Sequence, residues 1–248
     1  MIGVRSVWPS STGELTGTDL EEIYAYPAEP DRAWVQVNFV ASADGAVEVD
    51  TTSAGLSHAA DRRVFLLGRD LADVILVGAG TARAEDYRGV VAGPKRLERR
   101  RRLGFTGVPP IAVVTRTADL DPASRLFTET AVPPIVVTTE RADTAALEAA
   151  GAEVLRAGET DVDVPRVLDL LAARGLRRIA CEGGPRLFAQ LVEADRVDQL
   201  CLTVAPMLVA GPASRIAAGP VAVPRRLALA SILVEDGFTL LRYRRDAG

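Results

Sequence analysis

Histidine, cysteine and lysine are nearly absent from this sequence, and each shortage removes a class of chemistry. His58 is the only histidine in 248 residues, and Cys181 and Cys201 are the only cysteines. So few ligands cannot assemble a zinc site of usual spacing, and they leave a Ser-His-Asp or Cys-His relay little to draw on. No metal is expected. Both cysteines sit in apolar, strand-like runs and read as reduced core residues. Lys95, the sole lysine among 29 basic residues, stands in a charged loop flanked by glycine and proline, which argues against a Schiff-base enzyme. No stretch approaches the ~20 uninterrupted apolar residues of a membrane span. Met1 to Ser11 lack the apolar core of a signal peptide, so a cytoplasmic address with no membrane partner is expected. A net charge of −4 gives no reason to expect general affinity for nucleic acid.

What remains is an ordinary soluble chain, long enough for one large α/β domain with a substantial core. Residues 1–32 read as an N-terminal extension, with a short acidic helix over Thr18–Tyr24, and residues 33–248 as the domain proper. Trp34–Ala41 alternates as a strand and stops at Asp44-Gly45, a tight-turn pair. A helix capped by Ser57 is expected to run to Leu71, with Val64, Leu67 and Leu71 forming its apolar stripe. Asp73–Val77 is short and almost wholly apolar, as buried parallel strands are.

Residues 86–109 interrupt the pattern: Lys95, Arg96 and Arg99 to Arg102 crowd together, which predicts a solvated helix or mobile loop. Nucleic-acid binding is the rival reading, but the run lacks interleaved aromatics. Strands over Pro110–Thr115, Pro134–Thr139, Glu153–Arg156 and Arg178–Cys181 then alternate with helices over Asp143–Ala150, Val164–Arg174 and Pro185–Ala194. Strands at Gln199–Ala205, Leu227–Glu235 and Phe238–Tyr243 close the chain. This order predicts an α/β fold: a central mixed, mostly parallel sheet flanked by helices, antiparallel at its C-terminal end.

Two strand-to-helix turns have the shape of a phosphate cradle. Gly78-Ala79-Gly80-Thr81 follows a buried strand, and glycine allows close backbone approach to an anion at a helix start. Arg83 stands where a third glycine would complete the Rossmann fingerprint, so this turn alone is weak evidence. Glu182-Gly183-Gly184-Pro185 is the second, with Pro185 suited to the first helical turn. Two such turns on one sheet favour a dinucleotide beyond the carboxyl ends of the strands. Thr115-Arg116 ends a third strand and offers a hydroxyl and a guanidinium for a 2′-phosphate. Asp44, Glu85, Asp86 and Glu182 are the candidates for acid or charge roles, with Glu182 placed to line the crevice. Arg69 could pair with a substrate carboxylate or phosphate, or favour its helix C-terminus.

These residues together resemble the reductase domain of bacterial riboflavin biosynthesis, the RibD C-terminal or pyrimidine reductase family, whose fold is dihydrofolate-reductase-like. The carriers are NFVASADGAV, LLGRDLADVILVGAGTARAED, VVTR and RGLRRIACEGGPRLFAQLVEADRVDQLCLTVAPML, over roughly residues 33–245; stand-alone actinobacterial members look closest. The resemblance implies reduction of the ribose of 5-amino-6-ribosylaminouracil 5′-phosphate by hydride from NADPH, in a homodimer. It implies cofactor contacts at Gly78, Gly80, Thr81, Glu85, Thr115, Arg116 and the run Gly183, Gly184, Pro185, Arg186 and Leu187. It also implies substrate contacts at Asn38, Ser53 and Arg69, and catalytic roles for Asp44 and Glu182. Three departures fall around the substrate: Asn38 replaces a lysine, Gly55 a tryptophan, and Glu85-Asp86-Tyr87 an Asp-Asp-Pro run. They leave two other readings open, a pterin or dihydrofolate reductase on the same scaffold and a non-catalytic NADP(H)-binding protein. The H-x-E and P-C-x-x-C signatures of the zinc deaminase that often precedes this reductase are missing.

Overall fold

The computed structural model describes residues 3–10 and 14–246; the N-terminal residues read above as extension fall partly outside that range. Among these residues ten strands form one sheet: β1 Arg5–Trp8, β2 Trp34–Ser42, β3 Val74–Gly78, β4 Ile111–Val114, β5 Ile135–Thr138, β6 Glu153–Arg156, β7 Arg178–Cys181, β8 Gln199–Ala205, β9 Leu227–Glu235 and β10 Phe238–Arg245. Their order across the sheet is β1-β9-β10-β8-β2-β7-β3-β4-β5-β6. From β8 to β6 every neighbouring pair is parallel, while β8, β10, β9 and β1 pair antiparallel. The mixed, mostly parallel sheet is therefore as expected. β1 is an addition: four residues of the N-terminal segment extend the sheet edge along β9.

Among the described residues eight α-helices cover the sheet: α1 Gly17–Tyr24, α2 Ala59–Leu71, α3 Ala79–Ala84, α4 Pro94–Arg102, α5 Arg125–Thr128, α6 Ala145–Ala149, α7 Val164–Ala172 and α8 Pro185–Glu193. Strand residues alternate between faces, so β3 sends Val74 and Leu76 into the core under α7 and α8, and Ile75 and Val77 into the core under α3, α5 and α6. A third core joins α1 and α2 to Cys201, Leu233 and Leu240 of the antiparallel strands. No helix is long and apolar enough to cross a membrane among the described residues.

Two local expectations are corrected. Ser57 does not cap α2, because it closes the preceding short 3-10 turn Ala54–Leu56, one residue too early. His58 occupies the cap, its Nδ1 accepting from the Ala60 N–H at 3.3 Å, and the Ser57 hydroxyl donates instead to Asp61 Oδ2 at 2.8 Å. The arginine run is the expected helix with an exposed outer side, but its inner side is not left to solvent. It forms α4, whose spacing aims Arg96, Arg99 and Arg100 at the C-terminal end of α2, where unsatisfied carbonyls and a carboxylate attract cations. Arg96 and Arg99 both hold Asp70 at 2.5 Å, and Arg99 and Arg102 hold Glu21 of α1 at 2.9 and 2.6 Å.

Arg100 is the buried member, 3 % exposed. Its guanidinium donates to the carbonyls of Asp70, Ala72 and Gly107 at 2.7 to 2.9 Å and stacks on Phe105. Burial pushes its pKa down to about 10, against the pull of the nearby Asp70 and Asp73 charges, and its direct partners are carbonyls. Arg100→Ala is expected to cost about 2–4 kcal/mol in urea unfolding, since three buried acceptors lose their donor. Arg101→Ala, at an exposed position one residue on, should stay within about 0.5 kcal/mol of the parent.

Candidate active site

A cleft of about 1230 Å³ opens beyond the C-terminal ends of β2, β7, β3 and β4, where a parallel sheet exposes its strand-to-helix turns. The two glycine turns meet at its floor. Gly78 ends β3 and stands at the start of α3 with no side-chain cap; its N–H donates to the Gly183 carbonyl at 2.7 Å. A Cβ on Gly184 would lie 2.3 Å from Thr81 Oγ1, and one on Gly183 would lie 2.7 Å from the Phe39 ring. Gly183 also has φ +88°, and the Gly183–Gly184 peptide is cis. The left-handed backbone requires glycine at Gly183, and a Cβ at Gly184 would displace the Thr81 hydroxyl.

α8 starts immediately behind. Gly184 gives it no side-chain cap and Pro185 occupies its first position. Pro185 has no N–H, so the amides of Arg186 and Leu187 are the donors left without a helical partner. Both residues line the cleft, as do Gly80 and Thr81. Further along, Thr115 is buried, while the exposed Arg116 reaches only to 4.0 Å from Asp161. The hydroxyls of Thr138 and Thr139 donate to the Arg116 carbonyl and fix the backbone there.

The opposite end is built from side chains. Glu182 follows β7, with its side chain only 3 % exposed. Arg69, from the last turn of α2, donates to both its oxygens at 2.7 Å, and the Tyr87 hydroxyl donates to Oε2 at 2.6 Å. The Arg69 guanidinium lies 4.5 Å from the Phe65 ring centroid and 5.4 Å from that of Tyr87. Burial disfavours the Arg69 charge, but Glu182 and Tyr87 outweigh it and its pKa is raised. Burial, with the Glu182 charge behind it, also holds the Tyr87 phenol well above its ordinary value, so Tyr87 acts as a hydrogen-bond donor. Ser53 gives its N–H and hydroxyl to Glu85 Oε1 at 2.8 and 3.0 Å. Asn38 lines the same wall.

Of the residues singled out in the sequence, Asn38, Ser53, Arg69, Gly78, Gly80, Thr81, Glu85, Thr115, Arg116, Glu182, Gly184, Pro185, Arg186 and Leu187 all line this cleft. Two do not. Gly183 is packed behind the wall against Phe39, supplying shape rather than contact. Asp44 is a turn residue: it accepts from the Ser42 hydroxyl and from the N–H groups of Val209 and Ala210 at 2.7 to 3.2 Å, tying the β2 turn to the segment after β8. Asp44, expected as a catalytic residue, thus lies outside the cleft lining with its carboxylate engaged by the turn. Tyr87, Phe65 and Asp61 line the cleft without having been picked out as site residues. The aromatic inside the polar stretch E-D-Y-R-G was the available signal for Tyr87. Burial pushes the Cys181 and Cys201 thiols up to about 12, so neither supplies a thiolate.

Sheet order and cleft position define an α/β protein with a large crevice beyond the carboxyl ends of its parallel strands. The chain belongs to the RibD C-terminal domain family, which matches residues 33–237. Over 182 residues it is 29% identical to the 2,5-diamino-6-ribosylamino-4(3H)-pyrimidinone 5′-phosphate reductase of Archaeoglobus fulgidus, covering 73% of this chain and 83% of that one. The protein of the same description from Methanothermobacter thermautotrophicus is 31% identical, over 74% of this chain and 82% of its own. A crystal structure of a pyrimidine reductase-like protein from Corynebacterium diphtheriae superposes with a TM-score of 0.79 at 27% identity, covering 92% of this chain and 99% of that one. The family and fold expected from the sequence are both borne out.

Asp44 gives the local structure a pH dependence. The Ser42 hydroxyl, then the Ala210 and Val209 amides, hold its pKa down to about 2. A depressed carboxylate contributes its stability above the unfolded value of about 3.9 and loses it as pH falls towards the folded one. Asp44→Asn should therefore lower the urea midpoint at pH 6, with the gap from the parent narrowing between about pH 4 and pH 3.

Proposed function

We propose that the chain is an NADPH-dependent reductase of a pyrimidine riboside, of the kind its archaeal relatives' names describe. The observation that carries this reading is the pair of interlocked glycine turns, with uncapped amides at the start of α8, at the floor of a cleft large enough for two ligands. The residues present fit a dinucleotide. A Cβ on Gly80 would meet nothing within 4 Å, so the cleft is open where a cofactor backbone would pass. The donor set of Arg186 N–H, Leu187 N–H and Thr81 suits a diphosphate. Thr115 and Arg116 suit the 2′-phosphate that distinguishes NADPH from NADH.

When bound, the nicotinamide supplies the hydride. The chain's own residues bind and orient the acceptor, which needs little side-chain acid–base machinery once the two partners are held in near-attack geometry. Asn38, Ser53 and the Arg69–Glu182–Tyr87 cluster form the wall on which the acceptor would lie. Both Glu182 oxygens are already occupied, so Glu182 acts by fixing Arg69 and accepting hydrogen bonds. Glu85, oriented by Ser53, lies between the two halves.

A homodimer is part of the proposal. The antiparallel strands β8, β9 and β10 present Leu202, Val204, Ile232, Val234 and Leu241 on one half-buried face, with Leu241 directly opposite both Leu202 and Ile232. A second copy would cover this face.

Steady-state NADPH oxidation with a ribosylaminopyrimidine is the test. Turnover supports the reading, turnover of dihydropterins alone transfers it to a pterin reductase, and tight NADPH binding without turnover of either leaves a binding protein. Arg116→Ala should weaken NADPH about tenfold in fluorescence titration while leaving NADH unchanged; equal losses would remove Arg116 from the 2′-phosphate. Gly183→Val should weaken NADPH at least about tenfold, through displacement of Phe39 and the α8 turn.

A further inference from the structure

Residues 206–226, between β8 and β9, form neither helix nor strand. Segments longer than about 12–15 residues without regular structure are uncommon in a compact domain and mostly serve a site. This one is pinned at three places. Near its start the Ala43 N–H donates to the Met207 carbonyl at 2.9 Å, and Asp44 takes the N–H groups of Val209 and Ala210 at 3.2 and 2.7 Å. In the middle the Ala218 N–H donates to the Pro185 carbonyl at 3.1 Å, while Ile216 and Ala217 pack on the core beneath α8. At its end Arg225 donates to the carbonyls of Val192 and Glu193, in the last turn of α8, at 3.3 and 3.1 Å. The chain is thereby led from the β2 turn to the first turn of α8 and then along that helix.

The stretch between the first two pins does not bury apolar surface. Gly211, Pro212, Ser214 and Arg215 are exposed, and none has a large apolar side chain. Ala210 and Gly211 turn the chain there with φ +57° and +71°. A left-handed backbone is unfavourable for alanine, so the turn needs an outside tie, which Asp44 supplies. What the turn delivers is Ser214, which lines the cleft together with Ala218, beside Pro185, Arg186 and Leu187. Neither the Ser214 hydroxyl nor the Arg215 guanidinium is in a hydrogen bond or an ion pair among the described residues. The amides of Arg186 and Leu187 are likewise without a helical partner. A free hydroxyl and free amides from two separate parts of the chain thus border the same stretch of cleft. A diphosphate has several acceptor oxygens, more than two helix-start amides can serve.

We propose that the segment after β8 is the outer wall of the end of the cleft assigned to the cofactor, that Ser214 donates a hydrogen bond to the cofactor's diphosphate, and that Asp44 is a positioning residue that holds this wall in place through Val209 and Ala210. This rests on the reductase reading and adds a binding element to the same site. Asp44 touches neither cofactor nor acceptor; it acts through the segment.

The experiment uses the full chain and reads binding separately from turnover. Hydrogen exchange is measured with and without NADP⁺, and NADP⁺ and NADPH affinities are titrated by fluorescence. Bound NADP⁺ is expected to slow exchange of the amides of residues 213–217 at least about fivefold. Ser214→Ala should weaken NADPH about three- to tenfold, the worth of one hydrogen bond. Ser214→Asp should weaken it at least about thirtyfold by setting a carboxylate against the diphosphate, whereas Ala222→Asp, exposed further along the same segment, should stay within about twofold of the parent. Asp44→Asn should raise the KM for NADPH about tenfold and leave kcat and the acceptor KM within about twofold. A purely structural Asp44 would lower the urea midpoint and leave that KM alone, which would overturn its positioning role. No protection of residues 213–217 in NADP⁺-saturated protein, or Ser214→Asp binding NADPH as tightly as Ala222→Asp, would overturn the wall while a turning-over enzyme kept the reductase reading. Protection and the Ser214 effects without reduction of any pyrimidine riboside would leave the wall standing and sink the reductase reading. Absence of NADP⁺ binding would overturn both.

Discussion

The join between β3 and β7 sets the rest of the site. Beyond the last paired residues of these parallel strands, Leu76 and Cys181, the two chains stay tied: the Glu182 N–H donates to Leu76 O, and the Gly78 N–H to Gly183 O. The strands therefore release their helices, α3 and α8, from adjacent points, and the two helix starts are forced to share one small volume. Side chains are crowded there. A Cβ on Gly184 would collide with Thr81 Oγ1, and one on Gly183 with Phe39. The same crowding that excludes side chains leaves backbone N–H groups as the chief polar surface, which is what an anion needs.

The heavy use of arginine follows a related logic. A guanidinium can donate to several acceptors at fixed angles, where an ammonium acts as a compact point charge. Arg100 uses that fork on three carbonyls, closing the C-terminal end of α2. Arg69, in the last turn of the same helix, uses it on a carboxylate in the cleft. α2 is thus gripped by α4 on its outer side and by Glu182 on its inner side. The wall that carries Asp61 and Phe65 is held at a defined distance from β7, so scaffold stability and site geometry meet on one helix.

The sequence made the parallel strands legible because burial on both faces leaves no choice of residue: Val74 to Val77 are fully buried and fully apolar. The glycine turns were legible for the same reason, since a backbone requirement admits one residue type. Side-chain partnerships were not. Ser57 and His58 are both able to cap a helix, and only the 3-10 turn before them decides between them. A run of arginines looks alike whether it faces water or the end of another helix, because its partners Asp70 and Glu21 lie 26 residues and more away in sequence. Asp44 drew notice for its acidity, although its charge is spent on Ser42 and two distant amides.

That division runs through the active site itself. On the proposed assignment the half that would take the cofactor is made mainly of main chain, so its chemistry is tied to strand ends and glycines and tolerates little drift. The acceptor half is made of side chains on α2, the turn after α3 and the end of β7, each replaceable without disturbing a backbone bond. Tyr87 illustrates the freedom. Where the resemblance supplied a proline, which has no donor, this chain places a hydroxyl on Glu182 and an aromatic ring beside Arg69. One substitution ties up the acceptor capacity of the carboxylate and shields the guanidinium. A scaffold arranged in this way could keep the reductant proposed for it while changing what it reduces, and in this chain Asn38 and Tyr87, two of the residues departing from the family pattern, line the cleft.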